Sequence, residues 1–91
     1  MPEITEQILF SGRVQGVGFR WTTERIVSSL PVCGFVRNLP DRRVEVVVTG
    51  SAVSIQQLID GLQKHFGSGI TGLNRQIIDA PEDFQNFEIR R

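Results

Sequence analysis

An α+β sandwich of order β-α-β-β-α-β is the fold class that this sequence predicts, and three observations predict it. Stretches with the two-residue period of a strand alternate, in that order, with two stretches carrying the three-to-four-residue stripe of an amphipathic helix. A small extra strand is predicted at the C-terminal end. The chain has 91 residues, enough for one modest core and too few to divide into two. No repeat, low-complexity tract or linker interrupts it, so one domain spanning residues 1–91 is expected.

The elements follow in order. Ile8, Phe10, Gly12 and Val14 alternate with Gln7, Leu9, Ser11 and Arg13, a strand with one face more apolar than the other. Gly16 and Gly18 break that pattern. Thr23, Ile26, Val27 and Leu30 then lie at i, i+3, i+4 and i+7, one face of a helix that Pro31 should stop. Val32 to Leu39 is expected as a second strand, and Pro40-Asp41-Arg42 as a tight turn opened by proline. Val44, Val46 and Val48 alternate through a third strand that Gly50-Ser51 ends, with Ser51 placed to cap a helix. Ile55, Leu58, Ile59, Leu62 and Phe66 form the apolar face of that second helix, and Gly67 closes it. Ser68 to Gly72 is expected as a glycine-rich loop, Asn74 to Asp79 as a fourth strand, and Phe87-Glu88-Ile89 as a short final one.

This order is that of the ferredoxin-like split βαβ fold, an antiparallel sheet with two helices on one face. In it the first and second strands point the same way with the third between them. Their C-terminal ends lie two strand spacings apart, about 9–10 Å, a gap that long side chains from both can bridge. The loop after the first strand and the end of the second should therefore face one small volume.

Composition narrows what that volume can serve. Ten basic residues balance ten acidic ones, so no general field gathers nucleic acid or an anionic membrane, and an anion site has to be local. No apolar run approaches the roughly 20 residues of a membrane helix. The start, Met1 to Glu6, is acidic and polar and does not resemble a secretory or mitochondrial leader; a cytoplasmic protein is expected. Cys33 is the one cysteine, which excludes an intrachain disulfide and a Cys-only metal site; it is expected as a buried small hydrophobe.

Gly12 to Arg20 runs from a strand end into a helix start. Its glycines let the backbone turn sharply and approach a ligand closely. Successive N–H groups in such a turn form an anion-binding concavity, and the helix N-terminus behind adds unpaired donors and its dipole. Arg20, in the first helical turn, can set a planar fork of donors against two phosphate oxygens. A nucleotide P-loop ending and a dinucleotide fingerprint are both missing, so the ligand expected is a phosphoryl group rather than a nucleotide.

Val14-Gln15-Gly16-Val17-Gly18-Phe19-Arg20 resembles the signature loop of the acylphosphatase family. Gly34-Phe35-Val36-Arg37-Asn38, followed by Asp41 and Val44-Glu45-Val46, resembles that family's second motif at the expected separation, and Phe87-Glu88-Ile89-Arg90 its closing strand. The resemblance covers nearly the whole chain. It implies hydrolysis of acyl phosphates to carboxylate and phosphate without a cofactor or metal. It also implies roles: the backbone of Gln15, Gly16, Val17, Gly18, Phe19 and Arg20 cradles the phosphate, Arg20 binds its oxygens, and Asn38 holds the attacking water. Inorganic phosphate or sulfate is expected as a product-like ligand, and the protein as a monomer. Four departures stand out. Phe35 replaces the usual Trp, Arg42 stands where glycine is common, Leu39-Pro40 is more apolar than usual, and the loop Gly67 to Gly72 is atypical. Arg42 is expected to bend the hairpin differently near the site, and Leu39-Pro40 to change substrate access or water placement.

Other polar residues have plainer readings. Gln15 is divided between loop support and substrate contact. Arg13 and Arg37 are expected as solvated strand charges, and His65 as a helix-end residue suited to the negative end of the dipole. Trp21 is expected to pack at a helix edge, and Phe10, Phe35, Phe66, Phe84 and Phe87 in the core. The alternative to catalysis is a silent ferredoxin-like module that binds a small anion or another protein. An RNA-binding module is disfavoured, because the basic and aromatic sheet motif is missing.

Overall fold

The computed structural model describes residues 2–91. Five strands, β1 (Ile4–Gly12), β2 (Cys33–Asn38), β3 (Val44–Gly50), β4 (Ile70–Ile78) and β5 (Phe87–Arg90), form one sheet in the order β4-β1-β3-β2-β5. Two helices, α1 (Phe19–Val27) and α2 (Ala52–Phe66), complete the ferredoxin-like α+β fold. The alternation of valines in β3 puts Val44, Val46 and Val48 on the face that also carries Ile8, Phe10 and Val36. That face packs against Phe19 and Val27 of α1 and Ile55, Leu58, Ile59 and Leu62 of α2. Both β1 and β2 pair antiparallel with β3 between them, so they run the same way and end together.

The sheet is mixed rather than wholly antiparallel. The four strands of the split βαβ unit pair antiparallel, but β5 joins the outer edge of β2 in parallel. Topology makes this unavoidable: β4 runs against β1 at the far edge, and the chain reverses through residues 79–86 before entering β5, which therefore runs with β2.

Several boundaries differ from expectation for local reasons. Helix α1 ends at Val27, four residues short of Pro31. The hydroxyls of Ser28 and Ser29 donate to the carbonyls of Arg25 and Ile26 at 2.6 and 3.0 Å, bonds that compete with helix continuation. Leu30 still packs against the core, but from the turn that follows. Strand β4 begins at Ile70 rather than Asn74, because β1 pairs with it as far as Gly12, and Thr71 and Gly72 are drawn from the predicted loop into the sheet. At the other end of α2 the expectation is met: the Ser51 hydroxyl accepts the Ser54 N–H at 3.1 Å, and Gly67 with φ 51° stops the helix.

The polar start of the chain is part of the sheet. Glu6 is buried, and both its oxygens accept from the Arg75 guanidinium at 2.9 Å, while the same arginine reaches Gln56 of α2 at 2.7 Å. This fork ties β1, the edge strand β4 and α2 together. Phe35 is buried as expected, but outside the helix-facing core: it lies on the opposite face under Phe84, with ring centroids 5.9 Å apart, and the Arg90 guanidinium sits 4.2 Å from its ring centre. Among the described residues no helix is long and apolar enough to cross a membrane.

Candidate active site

The loop between β1 and α1 is pinned at both ends by apolar side chains. Val14 is buried two residues past the end of β1, and Phe19, buried at the first helical position, packs between Phe10 and Phe66 with ring centroids 5.0 and 4.8 Å away. Residues 15–18 are thereby pushed outward as a short exposed arch. Phe19 can then serve the arch only through its N–H, since its ring belongs to the core.

Gly16 and Gly18 both adopt left-handed backbone, with φ 75° and 78°. A Cβ added at either would meet nothing within 4 Å, so glycine is required here by the backbone angle and not by crowding. Between Gln15 and Arg20 no backbone N–H is taken by a protein acceptor among the described residues. Gly18 caps α1 without a side-chain acceptor, and no acidic residue occupies the first turn. The positive end of the helix is therefore uncompensated by the protein and open to an anion.

Arg20 and Asn38, far apart in sequence, line one cleft of about 260 Å³ together with Gly16 and Gly18. Asn38 is the last residue of β2 and Arg20 the second of α1, so the parallel run of β1 and β2 brings them to the same end of the sheet. Arg20 makes no ion pair among the described residues, whereas Arg37, Arg43, Arg75 and Arg90 are held by carboxylates at 2.6–2.9 Å. The Asn38 amide is half-buried and likewise makes no protein hydrogen bond among the described residues. Val17 is exposed and faces a neighbouring depression with Arg13, so its part in the arch is limited to its N–H.

The Gln15 side chain engages the β2–β3 hairpin. Its Nε2 donates to the carbonyls of Leu39 and Arg43 at 2.9 and 3.0 Å, so both amide N–H groups support the loop. These carbonyls frame the base of the β2–β3 hairpin: the Leu39 N–H donates to Arg43 O at 2.8 Å and the Arg42 N–H to Leu39 O at 3.2 Å. Asp41 closes the turn by accepting the Arg43 N–H at 3.1 Å, and that bond, with the Arg43 side chain, holds its carboxyl below the usual range. Arg42 has φ 75°, the conformation that glycine takes without strain. The arginine thus occupies a glycine-type turn rather than forcing a new one.

Other expectations divide. Arg37 is bound to Glu45 at 2.6 Å, and Gln7 donates to the same carboxylate at 2.7 Å. Arg37 is thus an exposed strand charge, as expected, that also makes an ion pair. Arg13 is exposed. His65 lies in the last turn of α2, edge-on to Phe66. Cys33 is only half-buried; partial burial, with Glu3 and Asp83 nearby, raises its thiol pKa. Trp21 does not pack at a helix edge: it is 59% exposed and forms part of the cleft wall with Ile89 and Arg91 of the C-terminal stretch. The sequence carries a signal for Trp21, which lies two residues before Thr23 and so off the buried stripe. Ile89 and Arg91 could not be placed there without knowing that β5 attaches to β2. No cluster of three or more metal-ligating side chains occurs among the described residues.

Comparisons with known proteins place the chain in a family. The acylphosphatase family model matches residues 6–89. The chain is 36% identical over 91 residues to an acylphosphatase of Thermococcus kodakarensis, covering 98% of each. Among solved structures, an acylphosphatase from Bacillus subtilis superposes with a TM-score of 0.86 at 27% identity, covering 97% of this chain and 99% of that one. One from Coxiella burnetii gives 0.85 at 31% identity, covering 97% and 93%. With the sequence motifs, the cleft and nearly full-length relatives in agreement, the chain belongs to the acylphosphatase family of enzymes.

Proposed function

We propose that the protein hydrolyses acyl phosphates to carboxylate and phosphate, with the phosphoryl group held by the N–H groups of Gln15 to Arg20 and by the Arg20 guanidinium. The observation that carries this reading is the meeting of an unpaired arginine, an unpaired amide and an unsatisfied N–H arch in one small cleft. Asn38 orients a water. The water oxygen bonds to phosphorus as the bond from phosphorus to the carboxylate oxygen breaks, and the carboxylate leaves. An amide is no base at ordinary pH, so the water's proton passes to a phosphoryl oxygen of the substrate. Acyl phosphates have a good leaving group, and phosphoryl transfer depends mainly on positioning and charge balance, which a fixed cation and N–H donors supply. The Gln15 side chain serves by holding the arch against the hairpin that follows Asn38.

The same reading makes the reaction independent of metal, the protein a cytoplasmic monomer of one domain over residues 1–91, and phosphate or sulfate a competitive inhibitor. The test is phosphate release from acetyl and benzoyl phosphate by purified protein in EDTA. Hydrolysis that persists under chelation supports the mechanism; activity lost in EDTA and restored by a divalent ion overturns it. A folded protein that binds phosphate but hydrolyses neither compound would be the silent module instead.

A further inference from the structure

We propose that Trp21 is the acyl-side subsite of the cleft, and that it selects acyl phosphates whose acyl group carries an aromatic ring. This inference rests on the acyl phosphate reading above and adds the substrate class. Arg20, Asn38 and the arch supply the polar end of the cleft; Trp21 and Ile89 supply apolar wall. A phosphoryl group seated on the arch carries its acyl group outward. In-line attack also requires that group to lie away from the water on Asn38. The walls remaining to receive it include an indole with more than half its surface open, 59%.

That exposure calls for an explanation. Tryptophan brings a large apolar surface that proteins ordinarily bury or present to a ligand. Here it adjoins Arg20 in the first turn of α1, at the site and off the buried face of the helix. The ring is also steadied: Arg25, one turn further on, places its guanidinium carbon 5.5 Å from the ring centre, a cation–π contact that limits how far the indole can swing. A braced, open indole beside a phosphate cradle is suited to stacking with a planar group. The cleft volume of about 260 Å³ falls below that of drug-sized pockets, which suits one small acyl phosphate.

Two experiments test this. Steady-state kinetics compare benzoyl with acetyl phosphate for wild type, Trp21→Ala and Trp21→Phe, each shown folded by thermal melts. Trp21→Ala should raise KM for benzoyl phosphate about five- to ten-fold, the scale of one aromatic pair, with kcat nearly unchanged. Its kinetics on acetyl phosphate should stay within about two-fold, and Trp21→Phe should recover most of the loss. Equal losses on both substrates, or none on either, would overturn the assignment. The second experiment needs no turnover, because Trp21 is the one tryptophan of the chain and its fluorescence reports this position alone. Phenylphosphonate should change the emission saturably, while methylphosphonate and inorganic phosphate should bind with little change. An identical response to all three, or to none, would again refute the subsite. A wild-type protein inactive on both acyl phosphates would refute the hydrolase reading, and the fluorescence arm would still decide the aromatic site.

Discussion

Replacing Gln15 with methionine keeps the length of the side chain and removes both donors. The structure fixes what should be lost. Two hydrogen bonds, at 2.9 Å to Leu39 O and 3.0 Å to Arg43 O, disappear. Each such bond contributes about 0.5–1.5 kcal/mol net. Neither carbonyl is orphaned, since the Arg42 and Leu39 N–H groups still donate to them, so the loss should fall in the lower part of the summed range, about 1–2 kcal/mol. For a domain of this size that corresponds to a fall in Tm of roughly 4–16 °C. The kinetic consequence is separate. Gln15 links the arch to the residue next to Asn38, so its loss should let the water drift relative to the phosphorus. A misplacement near 1 Å can cost about 10²-fold in rate. We expect kcat on acetyl phosphate to fall by about 10- to 100-fold while phosphate inhibition stays close to wild type, because the N–H arch and Arg20 remain. Urea denaturation gives the stability change, and steady-state kinetics well below the melting range give the rest. An unchanged midpoint with unchanged kcat would refute the argument. Weakened phosphate inhibition at unchanged kcat would show instead that the amide touches the substrate.

Further outcomes follow from the same geometry. Arg20→Ala should weaken phosphate inhibition and slow turnover together, whereas Asn38→Ala should spare phosphate affinity and lower kcat by about 10²-fold; a folded Asn38→Ala protein with near wild-type kcat would remove the water-holding role. Arg42→Gly should raise stability by up to about 1 kcal/mol, because the left-handed conformation at φ 75° disfavours a side chain by more than glycine's added chain entropy costs; a lower urea midpoint would contradict this. Asp41 and Glu82 have carboxyl pKa values lowered in the folded state, the first chiefly by the Arg43 N–H and the second by the Arg90 side chain. Their contribution is therefore complete above the ordinary carboxyl range and lost as pH falls through the lowered values. Urea midpoints measured from pH 7 to pH 3 should fall less steeply for an Asp41→Asn, Glu82→Gln double variant than for wild type.

The parts of the fold legible in the sequence were those in which one local signal had no competitor. The stripe Ile55-Leu58-Ile59-Leu62 between a serine cap and a glycine stop could only be a helix, and it is α2. Alternating valines from Val44 marked β3 for the same reason. The errors lie where a distant partner or a side chain changes the local preference. Thr71 and Gly72 have loop composition, yet the far end of β1 offers them a ladder. The stripe through Leu30 has the right period for a helix, but two serines consecutively bond back to the preceding turn and end it early. Glu6 was polar in a polar stretch, and only the approach of Arg75 from an edge strand allows it to be buried.

The candidate site divides along the same line. Its backbone half is legible locally: Gly16 and Gly18 stand before a helix without a first-turn acid, the pattern of an anion-receptive arch. Its second half required topology. Asn38 enters the cleft only because β1 and β2 run parallel across β3, which the element order implied once the fold class was chosen. The third part lay beyond both. Whether Gln15 turned toward ligand or hairpin depended on two carbonyls set at a fixed distance by a turn, and that turn depends on Arg42 accepting a conformation its side chain disfavours. The position of the arch relative to Asn38 thus rests on a turn at Arg42, 22 residues further along the chain than Arg20, the first of the two proposed catalytic residues. A substitution at Arg42 that disrupts the turn should accordingly be felt in kcat before it is felt in phosphate affinity, since in the proposed mechanism the arch holds the phosphate and the hairpin strand holds the water.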